Sequence, residues 1–473
     1  MSKILLISAN RCTTPEPVFP LGLAHLAAAL RRAGHSCVWL DCLTSADKLA
    51  ETVKNSCPDY IGISLRNIDD VLIRKRETYF DSLASFTTAV RRESNRPIIL
   101  GGSGFSIFPE PLFELSGADF GIAGEGESAL IQLIDALECG GDYRSIPGLV
   151  FRETSTIVVN PSGQVRPLNP GAGIQELAES DRPQSILAQY LQNGGMLNVQ
   201  TQRGCAHRCC YCTYPVIEGR QHRRRPAEAV AAEFEQLGRL GARYVFIVDS
   251  VFNSSPRHVA EICEALLRRN IKLQWGCFLR PQGLNRELVR LMARAGLSHV
   301  EFGSDSFNND VLAAYQKGLT FEDILESSEL VRRENLDFCH FLIVGGPGET
   351  PETLKQSFEN SRRIPGGVVM AVVGMRIYPG TDLFKRACAE GKITQNKDLL
   401  TPTYYLSTEL SADEIFAQIR EFARHSPNWI IGDPDSTYQN LVARLRQRGI
   451  AGPLWSYFSM IQHTKPHELT RSG

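Results

Sequence analysis

The sequence lacks any apolar run long enough to cross a bilayer, and its start, MSKILLISANRC, lacks the basic, apolar, small-residue order of a secretory signal. A cytoplasmic chain with no transmembrane segment is the expectation. Also missing is any imbalance of charge: 51 Lys and Arg stand against 52 Asp and Glu, a formal net charge of -1. A broad electrostatic footprint for nucleic acid is therefore not expected. The one dense basic stretch, Arg220-Gln221-His222-Arg223-Arg224-Arg225, reads as a solvated or cofactor-facing turn rather than an RNA stripe. No internal repeat or low-complexity tract interrupts the 473 residues, whose 43% hydrophobic content suits two or three ordinary globular domains. A disulfide framework is not expected either, because the 13 cysteines are odd in number and follow no secretory signal. Most of them read as small buried residues, and spacing singles out the exceptions.

What is present begins with an α/β rhythm over about residues 1–145. Strand-like runs are Lys3 to Ser8, Cys37 to Leu40, Tyr60 to Ser64, Ile98 to Leu100 and Phe120 to Ala123; helices fall at Gly22 to Ala33 and Ser128 to Leu137. This pattern predicts a flavodoxin-like or Rossmann-like sheet, with a ligand at the carboxyl ends of its strands. Residues 146–195, with Pro147, Pro161, Pro167, Pro170 and Pro183, read as a linker carrying a hairpin around Pro161-Ser162-Gly163. From Met196 six further strand candidates follow: Leu197 to Gln200, Tyr244 to Val248, Leu273 to Phe278, His299 to Phe302, Phe338 to Val344 and Val368 to Ile377. Six units are too few for a closed eight-unit barrel and predict a partial (β/α)6 barrel over 196–385. Residues 386–473 read as a mixed, mostly helical region on the substrate side.

The exceptional cysteines lie in Gly204-Cys205-Ala206-His207-Arg208-Cys209-Cys210-Tyr211-Cys212, a C-x3-C-x2-C spacing just after the first strand of that barrel. Three thiolates on one loop can hold three irons of a [4Fe–4S] cluster and leave the fourth open to a small molecule. A structural zinc site would need a fourth ligand, usually in paired C-x2-C spacing. Cys210 reads as a packing residue.

On this motif the chain resembles the radical SAM superfamily. The resemblance implies that Cys205, Cys209 and Cys212 hold the cluster, that S-adenosylmethionine chelates the open iron, and that one-electron cleavage yields a 5′-deoxyadenosyl radical. Tyr211 would lie near the adenine. Later stretches match in order: Val248-Asp249-Ser250 would place Asp249 near the methionine amine, and Glu301-Phe302-Gly303-Ser304-Asp305 would place Glu301 and Ser304 at the ribose. Gly345-Gly346 of the run Val344 to Thr350 would approach the adenosine, and Tyr378-Pro379-Gly380-Thr381 resembles the turn after the sixth strand.

The first domain resembles the cobalamin-binding domain of the cobalamin-dependent branch. The matching pieces are Pro20 and Gly22 at the first helix, Ser64 and Asn67 after the third strand, Gly101, Gly102 and Ser103 after the fourth, and Gly124 and Glu125 after the fifth. The D-x-H-x-x-G element whose histidine ligates cobalt in many corrinoid enzymes is absent; the corresponding loop reads Asn10-Arg11-Cys12-Thr13-Thr14-Pro15. The resemblance implies an enzyme with three cofactors, a [4Fe–4S] cluster, S-adenosylmethionine and cobalamin, that methylates an unactivated carbon of a small-molecule or lipid substrate. It also implies an electron donor such as flavodoxin or ferredoxin. Arg280, Tyr404 and Tyr405 are substrate-side candidates. Cyclisation, ring contraction or carbon–carbon bond formation is an alternative outcome with the same cofactors. A methylthiotransferase acting on RNA would need a second cluster, for which Cys12 and Cys42, with Cys57 as a third, are the candidates. A corrinoid-binding non-enzyme would bind corrin without cleaving S-adenosylmethionine.

Overall fold

Runs of Val, Ile and Leu buried on both faces, as in KILLIS and VVMAVV, are what parallel sheets covered by helices require, and two such sheets form the molecule. The computed structural model describes residues 1–13, 17–162, 177, 181–193, 195–432, 444–450 and 452–457. Thr14 and Pro15 of the first loop, and Gly163, Pro167 and Pro170 of the linker, lie outside the described residues.

The first sheet contains β1 (Lys3–Ser8), β2 (Ser36–Asp41), β3 (Tyr60–Ser64), β4 (Ile98–Gly101), β5 (Phe120–Ile122), β6 (Leu149–Glu153) and β7 (Thr156–Val159), in the order β2-β1-β3-β4-β5-β6-β7. The first five strands are parallel, as the sequence predicts. The last two form an antiparallel hairpin added to the edge. Its turn is at Thr154 and Ser155, not at Pro161–Gly163, and Thr154 takes a positive φ of 53° there.

The second sheet contains β8 (Met196–Val199), β11 (Tyr244–Ile247), β12 (Gln274–Leu279), β13 (Leu297–Asp305), β14 (Asp337–Val344), β15 (Val368–Val373) and β18 (Trp429–Ile431), all parallel, in the order β18-β15-β14-β13-β12-β11-β8. Six strands follow the predicted path, and the seventh comes from the region expected to be mostly helical. Three residues, Trp429 to Ile431, give too short a run to stand out from sequence. The expected strand to Ile377 ends at Val373, and Met375–Arg376 (β16) pairs instead with Tyr404–Tyr405 (β17). A small hairpin of Gln202–Arg203 (β9) and Arg223–Arg224 (β10) brackets the cysteine loop. Helices open on side-chain caps: Thr320, Thr350 and Ser411 each close a capping box. Among the described residues no helix is long and apolar enough to cross a membrane.

The sheets share a core. Phe19, Leu21, Ala24 and Ala28 at helix α1 (Leu21–Arg32) pack in one cluster with Leu197, Val199, Val230 and Phe234. The long loop after β3 adds a second join, where Arg376 Nε meets the Asp69 carboxylate at 2.9 Å with both side chains buried. Arg376 also donates to the carbonyls of Ile377, Thr403 and Leu399. Nearby, Arg74 lies 3.8 Å over the Phe416 ring and pairs with Asp413.

Removing one member of a buried pair strands the other, at a cost of about 3–5 kcal/mol. Arg376→Met should therefore lower the thermal unfolding midpoint clearly, while Arg376→Met with Asp69→Leu recovers part of the loss, the carbonyls that Arg376 held staying unpaired. A single variant as stable as the parent in scanning calorimetry would contradict the assignment of this pair as a structural join.

Candidate functional site

Parallel strands deliver their carboxyl ends to one edge, and here the edges of the two sheets face each other across a cavity of ≈ 440 Å³. Pro20, Gly22, Ser64, Asn67, Gly101, Gly102, Ser103, Gly124 and Glu125, the nine residues singled out in the first domain, all line it. Asn198, Gln200, Arg203, Tyr214 and Glu218 close it from the second sheet. Gly22 borders open space: a Cβ there would meet no atom within 4 Å. The Oδ1 atoms of Asn67 and Asn198 are buried with no hydrogen-bond partner among the described residues. A corrin carries a rim of amides whose N–H groups suit two unsatisfied carbonyl oxygens, so the donor set fits cobalamin. His25, on α1, is a buried wall residue, and Arg66 also borders the cavity.

Not every motif residue serves the cavity alone. A Cβ on Gly102 (φ 102°) would meet Leu65 O at 2.5 Å, so this glycine answers to close backbone packing. Ser103 Oγ donates to Arg66 O at 3.0 Å and ties the two loops together. Glu125 pairs with Arg223 and, at 3.2 Å, with Arg203, while Glu127 meets Arg203 at 2.7 Å. Burial alone would raise Glu125, but Arg223 and Arg203 outweigh it and hold the carboxyl below its usual range. Its first employment is thus a clamp between the two halves.

Arg203 leads directly into the cysteine loop. Gly204 N donates to Glu218 at 3.1 Å and Cys205 N to Gly219 O at 3.0 Å. Cys205 is buried, while Cys209 and Cys212 are half-buried. Burial pushes the Cys212 thiol up to about 12, so a thiolate here needs a compensating cation, which iron would supply. Burial also raises Cys209, with Lys317 and Arg280 pulling the other way. Among the described residues no three His, Cys, Asp or Glu side chains gather closely enough to hold a single ion. A cluster makes a different demand, since each thiolate meets its own iron. Cys210 is pinned within protein: its N–H donates to Tyr315 O at 3.0 Å and its carbonyl accepts from Leu383 N at 2.8 Å.

Around this loop the expected S-adenosylmethionine residues divide. Tyr211 donates to Asp305, which also pairs with Lys317 Nζ at 2.7 Å; Asp305 itself takes a positive φ of 65°. Asp249 is fully buried and accepts from the N–H groups of Thr201 (2.7 Å) and Gln202 (3.2 Å) and from the Thr201 hydroxyl. Burial raises its pKa to about 7, those donors opposing. In this structure it fixes the approach to the cysteine loop rather than facing an open site. Ser304 is likewise not at an open site. It bonds to buried His340 at 2.7 Å on the helix-facing side of β13, while Glu301 lies on the other face and accepts from Trp455 Nε1 at 2.9 Å. Alternation along a strand puts residues three apart on opposite faces. Gly345 sits against Ile415 and Leu406, and a Cβ on Gly346 would strike the Tyr315 hydroxyl at 2.4 Å. Gly345 is favoured by its positive φ of 90°, and Gly346 by packing against the Tyr315 ring.

Of the substrate-side candidates, Arg280 reaches the cysteine loop's surroundings: it donates to Lys317 O and lies within electrostatic range of Cys209 and Cys205. Tyr405 donates to Glu390 at 2.6 Å under Lys392, and Tyr404 lies near Arg76. Neither tyrosine lines the cavity. Asp305 and Lys317 were not singled out by sequence. Asp305 belongs to a noted motif, but nothing local marks Lys317 as its partner.

Comparison with known proteins agrees with this layout. Residues 8–134 match the B12 binding domain family, and residues 199–360 match the radical SAM superfamily. The chain is 25% identical over 448 residues to tryptophan 2-C-methyltransferase of Streptomyces laurentii, covering 81% of this chain and 74% of that protein. It is 26% identical over 423 residues to hopanoid C-3 methylase of Methylococcus capsulatus, covering 84% and 74%. A radical S-adenosylmethionine methyltransferase from Kitasatospora setae, solved with cobalamin and a [4Fe–4S] cluster bound, shares the fold: TM-score 0.84, 22% identity, 98% of both chains.

One carboxyl beside the glycine turn gives a pH test. Burial pushes Glu349 up to about 7, opposed by hydrogen bonds from Gly345 N and the Thr353 hydroxyl. The folded chain thus keeps a proton that an unfolded carboxyl loses near 4.5. This contribution to stability is complete below that value and is lost as pH rises through about 7. Glu349→Gln, which mimics the protonated form, should gain stability relative to the parent between pH 5 and pH 8, by up to about 3 kcal/mol. Parallel pH profiles of the two proteins in urea unfolding would contradict the shift.

Proposed function

We propose, from the premise that this chain is a radical SAM enzyme with an N-terminal B12-binding domain, that it is a cobalamin-dependent methyltransferase acting on carbon in a small organic substrate. The observation that carries this reading is Arg203. It borders the cavity edged by the glycine loops of the first sheet and stands two residues before Cys205. The corrinoid site and the cysteine loop are therefore neighbours rather than separate modules. Similarity to two carbon methylases over more than four-fifths of the chain supports the transfer of a methyl group.

When bound, the cluster and S-adenosylmethionine would supply one-electron chemistry, and cobalamin would carry the methyl group. The chain's own contribution is placement. Cys205, Cys209 and Cys212 would hold three irons; Asp249 and Glu218 orient the backbone that presents them. Tyr211, locked to Asp305, gives one side of the loop a fixed wall. Asn67 and Asn198 offer acceptors to the corrin rim from opposite sheets. Arg280 and Lys317 put positive charge beside the cysteine loop. An electron donor such as flavodoxin or ferredoxin would be required. A cytoplasmic location suits thirteen cysteines that form no disulfide among the described residues, as a reducing compartment requires.

The test is corrinoid and iron content after anaerobic purification from cells supplied with cobalamin. Each of Cys205→Ala, Cys209→Ala and Cys212→Ala should lose the cluster and all cleavage of S-adenosylmethionine while keeping corrinoid. Gly22→Leu should do the reverse. Its backbone is helical, so the side chain is tolerated and adds up to ~1 kcal/mol of helix propensity. Its side chain would enter the cavity and weaken corrinoid binding at least ~10-fold. Gly22→Leu with full corrinoid content, or a cysteine variant that still cleaves S-adenosylmethionine, would overturn the respective assignment.

A further inference from the structure

The basic stretch that follows the cysteine loop divides by direction. β10 and the residue after it alternate in direction: Arg223 turns inward to Glu125 and Arg225 inward to Glu233, at 2.5 Å. Arg224 between them is exposed and meets only the Ser254 hydroxyl, at 3.4 Å. Arg220 is also exposed, and its Nη1 donates to the carbonyl of His207, at 3.3 Å, between Cys205 and Cys209. Arg208, inside the cysteine loop, is exposed as well. None of these three guanidiniums has an acidic partner among the described residues. In this they differ from Arg203, Arg223 and Arg225, whose charge is spent within the fold.

Exposure has the same geography. Ala206 and Arg208, each next in sequence to a cluster cysteine, are exposed, while the residues leading in, Thr201 to Gly204, are buried. The loop thus shows one side to solvent; Arg208 lies within it, Arg220 reaches its His207 carbonyl, and Arg224 lies on the strand that leaves it, beside Ser254. Val216, on the short helix after Cys212, adds an exposed apolar group at 47%. In a chain whose overall charge is -1, this is a local positive field and not a general property of the surface.

We propose that Arg208, Arg220 and Arg224 form the docking face for an acidic one-electron carrier protein, which delivers its electron through the exposed side of the cysteine loop. The proposal rests on the reading of Cys205, Cys209 and Cys212 as a cluster site. In each encounter the carrier is oxidised by one electron and the iron–sulfur site is reduced by one; no bond forms or breaks and no proton need cross the interface. Charge complementarity is the reason for an acidic partner, since such a field accelerates and orients encounter and is screened by salt. An RNA backbone would need more phosphate contacts than three arginines provide, in a chain whose formal net charge is -1.

The experiment uses the full chain, reconstituted anaerobically, with a purified acidic flavodoxin as probe. Reduction of the cluster is followed by stopped-flow absorbance, and flavodoxin binding by calorimetry, at low and high salt. Arg208→Glu/Arg220→Glu/Arg224→Glu should lose at least about 10-fold in both rate and affinity and lose its salt dependence. The matching triple Lys variant should stay within about threefold of the parent, because the field and not the guanidinium shape is at issue. Methyl viologen radical cation, a small cationic donor, should reduce all three proteins at rates within about twofold or favour the Glu variant.

Undiminished reduction of the Glu variant by flavodoxin would overturn the proposal, as would a Lys variant as impaired as the Glu variant. So would arginine-dependent retention of tRNA in a mobility shift without flavodoxin binding. A parent chain that takes up no cluster would sink the cluster reading itself. One that takes up a cluster and accepts electrons from viologen, yet ignores these arginines, would sink only the docking face.

Discussion

Arg203 is a cation almost out of water, and much of the molecule is arranged so that it can be. Burial opposes its charge; Glu127 and Glu125, both from the first domain, outweigh that and hold its pKa above the usual value. Breaking such a group away from its carboxylates would leave an unpaired buried charge, so the two halves are held at a set distance where Arg203 crosses. The backbone leaves this anchor straight into Gly204 and Cys205. The position of Cys205 is thereby referred to the glycine-rich strand ends of the other sheet. Under the proposed function, two sites that must cooperate are measured from one side chain.

The second join, through Asp69 and Arg376, lies on the loop after β3 that also contributes Arg66 and Asn67 to the cavity wall. Together with the apolar contact of Phe19 and α1 against β8, it makes the domain boundary a packed seam rather than a hinge. A corrin held between such faces would meet preset walls. Rigid placement is what a reaction between two bound groups needs, because geometry, not acid–base chemistry, is the protein's share of it.

Much of this was legible in the sequence, and the failures have physical causes. KILLIS and YIGIS declare buried parallel strands by composition alone. The cysteine spacing points to its loop because three thiolates so close in sequence have few other uses. Pairing is what sequence hides. Asp249 was visible as a strand-end acid, but its partner Thr201 lies 48 residues away and takes the carboxylate for the protein's own backbone. Glu125 was visible as part of a loop, yet Arg223, 98 residues on, decides what it does. Glu301 and Ser304 could have been separated beforehand by strand alternation. β18 could not, since a three-residue strand is recognisable only by the sheet it completes.

The pinning of Cys210 bears on the life of the protein in air. Its N–H and carbonyl are held by Tyr315 and Leu383, and Cys205 N is held by Gly219, so the loop's course is dictated by protein contacts on either side of the thiols. Under the proposed function, a loop whose course is dictated by protein contacts would let the folded chain take up iron and sulfide again after oxygen had stripped the metal.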